Sequence, residues 1–380
     1  MIHRRGYIPE FDGFRGVAIL LVMAFHIWRY SGGSLAGHAI TSVAGIGWAG
    51  VDVFFVLSGF LITGILLDSK GRERYWRNFF IRRSLRIFPL YYAVMTALVV
   101  GAFIIDRFDI AISDPALATV DKAWINYLYL TNFVKAFWGA NVVPLDIAWS
   151  LAVEEQFYIL YPFIVRWASR RTLMTWLMIA VVSAPVFRYL SFIQTDGYYA
   201  APYVLPYCRM DALAIGGLAA ILVRNDRDLM IRIASRWAWP LVIVALTTLG
   251  FCDRGDLPFV IGGYSIVAIA SGALMLRALS TQGGLLSRAF SARWLVYIGK
   301  ISYGLYLLHI IARAGVDALI GQTGLGPLDQ TNMFESLARL FVIIAVAVLM
   351  ASVSYFSFER PILRLKTRWA PTRELIAKTP

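Results

Sequence analysis

Ten long apolar stretches constrain what this 380-residue chain can fold into. They cover residues 14–30, 46–68, 88–106, 147–165, 173–193, 204–223, 237–252, 258–276, 295–320 and 334–358. A helix needs about 20 mostly apolar residues to cross the roughly 30 Å hydrocarbon core of a bilayer, so the ninth stretch is long enough to require a tilt or a break. Apolar types make up 59% of the chain, which excludes a disordered protein and argues against a water-soluble one. The sequence therefore predicts an all-α, polytopic membrane protein with about ten transmembrane helices.

Positive charges are distributed unevenly between the loops that these spans leave. The N-terminus, the even-numbered loops and the C-terminus hold 25 of the 36 Lys and Arg residues, whereas the odd-numbered loops hold four. Cytoplasmic loops carry the Lys and Arg excess in membrane proteins, so both termini are predicted to be cytoplasmic. The net charge of +13 then reflects topology rather than binding to nucleic acid. We expect one transmembrane domain at residues 1–365 and a basic cytoplasmic tail at residues 366–380.

The first predicted helix carries three ionisable residues, Asp12, Arg15 and His26. A charged group inside a bilayer is costly, so each needs a partner, a water-filled cavity or a function. At about 100° per residue, Arg15 and His26 lie within about 20° of the same face, and Asp12 shares it. The sequence thus predicts a polar face along this helix. The alternatives are an N-cap for Asp12, a snorkelling Arg15 and a hydrogen-bonded core histidine at position 26.

Polar residues also interrupt the second and fourth predicted helices. Asp52 and Ser58 lie in the second, and Ser58 precedes a glycine, a pattern that is equally typical of close helix packing. In the fourth, Glu154 follows Ser150 by four residues and therefore shares its face. A buried Glu154 is able to orient an imidazole, accept its proton or pair with Arg15.

The sixth and ninth predicted helices add two more pairs. Arg209 and Asp211 are two residues apart and do not face each other on a helix, so each needs another partner. In the ninth, His309 follows Tyr306 by three residues, and a structural role for this histidine is the alternative to a functional one.

The first predicted cytoplasmic loop, residues 69–87, is rich in basic side chains: Lys70, Arg72, Arg74, Arg77, Arg82, Arg83 and Arg86. Arg83 and Arg86 are three residues apart and so are able to clamp a phosphate together. Loops of this kind also fix membrane topology and hold anionic lipid, which is the alternative interpretation.

Six motifs, in order, span most of the chain. They are Asp12-Gly13-Phe14-Arg15-Gly16 followed by His26, Phe54-Phe55-Val56-Leu57-Ser58-Gly59-Phe60, Arg83…Arg86-Ile87-Phe88-Pro89, Trp149-Ser150-Leu151…Glu154…Phe157-Tyr158, Ile301-Ser302-Tyr303-Gly304-Leu305-Tyr306…His309 and Phe358-Glu359-Arg360-Pro361. This series resembles acyltransferase family 3, the membrane O-acyltransferases of bacterial glycans and small molecules. No single motif is specific, but all six in this order are.

The resemblance implies a ten-helix enzyme of the bacterial inner membrane. Such an enzyme moves an acyl group, usually acetyl, from a cytoplasmic CoA thioester to a hydroxyl of a carbohydrate. The acceptor stays open, because members modify lipopolysaccharide O-antigen and other cell-surface polysaccharides, lipid-linked glycans or small molecules. Some members carry a C-terminal SGNH hydrolase-like domain, which we do not expect in this chain.

Acyl transfer needs a base for the attacking hydroxyl and stabilisation of the oxyanion. His26 is the candidate base or acyl carrier, and Arg15, Glu154 and Asp12 are its expected partners. The phosphates of CoA suit the arginine-rich loop, and its thin arm is expected to thread between the helices towards His26. The acceptor is expected from the opposite side, over the aromatic loop 107–145. No metal is expected, because the two cysteines lack the spacing of metal ligands.

The remaining predicted site residues fall into two groups. Residues expected to bind acyl-CoA are Arg82, Arg83, Arg86, Ser58 and Tyr303. Residues expected to bind the acceptor are Trp149, Ser150, Arg209, Asp211 and His309.

Other classes of membrane protein fit the sequence less well. A transporter of a glycan or acylated glycan also places charges in its spans, but it is expected to show paired halves, and none is visible. A glycosyltransferase that uses a lipid-phosphate donor is expected to carry acidic residues in its first external loop, and residues 31–45 contain none. A non-catalytic scaffold does not need Arg15, His26 and Glu154.

Overall fold

Helices account for most of the chain that the computed structural model describes, which comprises residues 7–107, 122–139, 145–280, 283–322 and 330–370. No strand occurs in these ranges. The α-helices are α1 Pro9–Ile27, α2 Leu35–Gly45, α3 Gly50–Ser69, α4 Tyr75–Arg107, α5 Ala123–Tyr127, α6 Thr131–Trp138, α7 Trp149–Trp167, α8 Arg170–Gln194, α9 Ala200–Val204, α10 Pro206–Asn225, α11 Arg227–Phe251, α12 Tyr264–Ser280, α13 Leu285–Phe290, α14 Arg293–Lys300, α15 Ser302–Gln322, α16 Met333–Ser354 and α17 Arg360–Trp369. Short 3₁₀ segments occupy Ile46–Ala49 and Asp146–Ala148, and π-helical turns occupy Phe259–Gly263 and Tyr355–Glu359.

Eight helical segments of the described chain are long and apolar enough to cross a membrane. They are Leu35–Ser69, Tyr75–Ile104, Arg170–Gln194, Ala200–Asn225, Arg227–Phe251, Phe259–Ser280, Ser302–Gly321 and Met333–Trp369. The other two predicted spans are α1 and α7, which are 19 residues long and carry three charged residues each. The all-α, multi-pass membrane fold is confirmed, whereas the crossing of α1 and α7 stays a prediction.

Three predicted boundaries can be compared with the helices. The ninth span, which was expected to tilt or break, is broken, since α14 ends at Lys300 and α15 begins at Ser302. The prediction of a loop at residues 69–87 is wrong, since α4 begins at Tyr75 and the last four arginines of this basic segment lie on it. The predicted domain boundary after residue 365 falls inside α17, and residues 371–380 lie outside the described chain.

α17 continues the last predicted span beyond a π-helical turn and packs against α4. Arg82 of α4 fixes this contact by donating from Nε (3.0 Å) and Nη2 (2.6 Å) to the carbonyl oxygen of Ala370. The contact brings the basic side chains of α17 to the same end of the bundle as the arginines of α4.

α3 lies at the centre of the bundle, in contact with α1, α7, α10 and α12. Its closest neighbour is α10, and two glycines permit the approach. A Cβ at Gly59 would lie 1.9 Å from the carbonyl oxygen of Leu213, and one at Gly216 would lie 2.0 Å from that of Val56. The close-packing interpretation of the second helix is therefore correct for Gly59, while the neighbouring Ser58 faces another helix.

Candidate active site

A cavity of about 90 Å³ lies between α1, α3, α4, α7 and α15. A water molecule needs about 10–15 Å³, so the cavity has room for several waters or for a narrow chain. Its polar lining consists of Arg15, Ser58, Arg83, Arg86, Ser150, Glu154, Tyr158, Ser302, Tyr303 and Tyr306. Seven of these were predicted as site residues. They come from five helices, the first of which begins at Pro9 and the last of which ends at Gln322.

Glu154 of α7 is held by two hydroxyl groups inside this cavity. Ser58 Oγ of α3 donates to Oε1 at 2.6 Å. The Tyr158 hydroxyl donates to Oε2 at 3.0 Å and lies 3.2 Å from Ser58 Oγ. The guanidinium carbon of Arg83 lies 5.6 Å from the centre of the Tyr158 ring. The carboxylate is thus fixed in one orientation next to a cation. Tyr158 was not predicted, although its position four residues after Glu154 places it on the same helix face.

Positive charge gathers at one end of the cavity. Arg15 pairs with Asp12 at 2.6 Å, whereas Arg83 and Arg86 form no ion pair with the described residues. Lys366 of α17 lies close enough to Arg15, Arg83 and Arg86 for their charges to act on it. We call Arg15, Arg83, Arg86 and Lys366 the basic cluster. Sequence reasoning missed Lys366, because only the packing of α17 against α4 brings it there.

Asp12 is neither an N-cap nor a partner of His26. Its Oδ2 accepts a hydrogen bond of 2.6 Å from the Tyr7 hydroxyl, and its Oδ1 accepts the bond from Arg15. Partial burial and the nearby Asp12 carboxylate raise the pKa of the Tyr7 phenol, so this hydroxyl keeps its proton and donates. Asp12 therefore fixes Arg15 at the entrance of the cavity.

Tyr306 closes the opposite end of the cavity. Its hydroxyl donates to the carbonyl oxygen of Ile147 at 2.7 Å and lies 2.6 Å from Ser150 Oγ. Its ring lies 6.1 Å from that of His309, centre to centre. Since His309 in turn contacts His26, Tyr306 stands between the cavity and the two histidines.

His26 does not line the cavity, and neither Arg15 nor Glu154 forms a hydrogen bond with it. The expected tuning of His26 by these two residues is therefore wrong. The reason is the helical rise: eleven residues at about 1.5 Å each place Arg15 and His26 about 16 Å apart on one face of α1. The contact that the structure provides is His309, whose Nε2 lies 3.2 Å from His26 Nδ1.

Arg209 and Asp211 are structural ion-pair residues, which corrects their assignment to the acceptor site. Arg209 Nη2 donates to Asp52 Oδ1 at 2.5 Å, and Arg188 Nη1 donates to Asp211 Oδ2 at 2.8 Å. All four side chains are fully buried. Buried charges persist when they are paired in this way, so these pairs join α10 to α3 and α8. The need for partners beyond each other was predicted correctly.

Two further predicted residues lie beside the cavity rather than in it. Trp149 is buried and packs against the rings of Phe55 and Tyr203, at 6.3 and 4.7 Å between centres. Arg82 donates to the carbonyl group of Ala370 and does not line the cavity. Trp149 therefore supports the wall of the cavity, and Arg82 holds α17 in place.

Comparisons with known proteins agree with this description. The profile of a family described as "Acyltransferase domain" matches residues 8–355. Peptidoglycan O-acetyltransferase OatA of Listeria monocytogenes is 27% identical over 95% of this chain and 56% of its own length. YrhL of Bacillus subtilis, a candidate peptidoglycan O-acetyltransferase, is also 27% identical, over 95% of this chain and 55% of its own length. A candidate O-acetyltransferase of Staphylococcus aureus strain COL is 26% identical over 93% of this chain and 57% of its own length.

The chain spans a little over half the length of these curated relatives. No solved structure matches it significantly. The family profile covers nearly the whole chain, including the helices that build the cavity. The chain belongs to acyltransferase family 3.

Proposed function

We propose that this protein is a membrane O-acyltransferase that moves an acyl group from acyl-CoA to a hydroxyl group of a carbohydrate. Acetyl is the acyl group that we propose. The observation that carries the proposal is the cavity that joins the basic cluster to Glu154, Ser58 and Tyr306. The names of the relatives, which are O-acetyltransferases, support the reaction type.

The basic cluster supports acyl-CoA as the donor. Arg83 and Arg86 line the cavity and form no ion pair with the described residues, and Lys366 adds a third cation that forms none with them. Several unpaired cations at one place repel each other and therefore favour a polyanion. CoA carries phosphate groups at one end and a thin thioester arm at the other. The phosphates bind the cluster by charge-assisted hydrogen bonds, and the arm lies in the narrow cavity.

His26 is the proposed base of the reaction. A thioester bound at the Tyr306 end of the cavity is separated from the His26–His309 pair by the ring of Tyr306. Transfer therefore requires the Tyr306 side chain to move aside. His26 acts either as the base for the acceptor hydroxyl or as a carrier of the acyl group. Labelled acyl trapped on His26 in the absence of an acceptor distinguishes the carrier from the base.

The acceptor is proposed to approach from the end of α1 opposite the basic cluster. Lys135 of α6 is near enough to His26 for its charge to act on the ring. Trp124 and Trp138, on either side of it in the sequence, are exposed and offer aromatic faces for sugar rings. Because two of the relatives are named for peptidoglycan, a cell-wall or cell-surface glycan is the first acceptor to test. In this orientation both termini are cytoplasmic, in a bacterial inner membrane.

Labelled acetyl-CoA supplied to membranes that contain the protein tests the proposal. We expect release of free CoA and label in a glycan fraction, both lost in His26→Ala. His38→Ala is the matched control, because His38 is exposed on α2 and lies outside the cavity. Equal labelling by wild type and His26→Ala would remove His26 from the mechanism. Uptake of a glycan by proteoliposomes without any transfer of label would favour a transporter instead.

A further inference from the structure

The protonation of His309 is set by its own helix. Its Nδ1 lies 2.9 Å from the carbonyl oxygen of Tyr306 and 3.0 Å from that of Leu305. A carbonyl oxygen only accepts hydrogen bonds, so Nδ1 carries the hydrogen. In the neutral imidazole the other nitrogen, Nε2, then has a free lone pair and accepts. His309 is fully buried, and this arrangement therefore points a fixed acceptor away from α15.

That acceptor faces His26. His309 Nε2 lies 3.2 Å from His26 Nδ1, which also lies 3.0 Å from the carbonyl oxygen of Val22. Both neighbours of Nδ1 are acceptors, so Nδ1 of His26 carries the hydrogen, and the lone pair of the His26 ring is on Nε2. The His26 ring is half-buried, and its Nε2 has no hydrogen-bond partner within the described ranges.

We propose that His309 is a positioning residue that holds His26 in the tautomer whose Nε2 is free to take a proton. This inference rests on the proposed function. A second imidazole here does what a carboxylate does for the histidine of a hydrolase triad: it orients the ring and stabilises the cation that forms. The Val22 carbonyl oxygen also orients the His26 ring, but it already accepts a backbone hydrogen bond within α1.

The proton balance of the transfer follows from this tautomer. The acceptor hydroxyl gives its proton to His26 Nε2 as its oxygen forms the new C–O bond to the thioester carbonyl carbon. The C–S bond then breaks, and the thiolate of CoA takes the proton back from Nε2. During this step the His26 imidazolium donates from Nδ1 to His309 Nε2, a charge-assisted hydrogen bond.

Nitrogen-15 NMR of the full chain in lipid tests the tautomer directly. The chain has only four histidines, so single His variants assign every ring. We expect Nδ1–H with an unprotonated Nε2 for both His26 and His309 near neutral pH. The opposite tautomer at His26 would overturn the inference whether or not any variant is active.

Kinetics with acetyl-CoA and the endogenous membrane glycans give the second test. His309→Phe keeps a ring but removes the acceptor, and His309→Gln places an amide oxygen near the position of Nε2. We expect kcat to fall about 10- to 100-fold in His309→Phe, the effect of losing one hydrogen bond to a charged group, with the KM for acetyl-CoA unchanged. His309→Gln should regain several-fold of that loss.

Equal losses in the Phe and Gln variants, or a raised KM in both, would assign His309 to packing and overturn the inference. A failure of the proposed function is distinguishable from this. If wild type transfers no acyl group, or His26→Ala transfers it normally, the function itself is wrong. If transfer depends on His26 but is indifferent to His309, only the present inference is wrong.

Discussion

Arg86→Gln is expected to weaken the binding of acetyl-CoA without slowing the chemical step. Arg86 lines the cavity and forms no ion pair with the described residues, so its removal leaves no buried carboxylate without a partner. A hydrogen bond to a charged group is worth about 1.5–3 kcal/mol, and 1.36 kcal/mol corresponds to a factor of ten. Since Arg86 is half-buried and water screens part of its charge, we expect the lower end of this range, a rise of about tenfold in KM.

The assay compares acetyl-CoA with an acetyl thioester of pantetheine, which lacks the nucleotide phosphates. Arg86→Gln should raise the KM for acetyl-CoA alone and leave that for the truncated thioester unchanged. Arg77→Gln is the matched control, because Arg77 is exposed on the same helix and does not line the cavity. An equal rise for both thioesters, or no change for either, would refute the assignment of the basic cluster to the phosphates of CoA.

The remaining predictions concern charge, buried ion pairs and packing. Ser58 and Tyr158 fix the Glu154 carboxylate in the cavity proposed for the thioester arm, so Glu154→Gln, which removes the charge at unchanged size, should lower kcat at least tenfold with little effect on the KM for acetyl-CoA. Normal turnover would show that this carboxylate takes no part in the reaction. Arg209→Met leaves Asp52 buried without its cation and should cost about 3–5 kcal/mol of stability, seen as a lower melting temperature in detergent, and Arg209→Met with Asp52→Asn should regain part of it. A melting temperature unchanged by Arg209→Met, with a raised KM for the acceptor, would restore Arg209 to the acceptor site. Gly59→Val forces a side chain onto the carbonyl group of Leu213 and should lower the yield of folded protein, whereas Gly101→Val, where a Cβ meets open space, should not.

Several features of the site could be predicted from the sequence because they depend on helix geometry alone. The spacing of Ser150 and Glu154 placed both on one face of α7, and both line the cavity. The two-residue spacing of Arg209 and Asp211 showed that they do not pair with each other. The length of the ninth stretch required a tilt or a break, and the structure has a break between α14 and α15.

Contacts between distant parts of the chain could not be predicted from helix geometry. Lys366 joins the basic cluster only because α17 packs against α4. His26 and Arg15 share a face of α1, yet the rise along the helix separates them. His309, whose ring contacts that of His26, lies 283 positions away in the sequence. Asp52 and Arg209, which form a buried pair, are 157 positions apart.

The sequence by itself determined that this is an all-α, multi-pass membrane protein and which helix faces are polar. The physical reason is that the length of apolar stretches and the period of a helix are local properties of the chain. Only the tertiary structure decided which polar faces meet, since nothing local specifies the neighbours of a helix. It therefore separated the cavity residues from the buried ion pairs, and it gave His26 the partner His309.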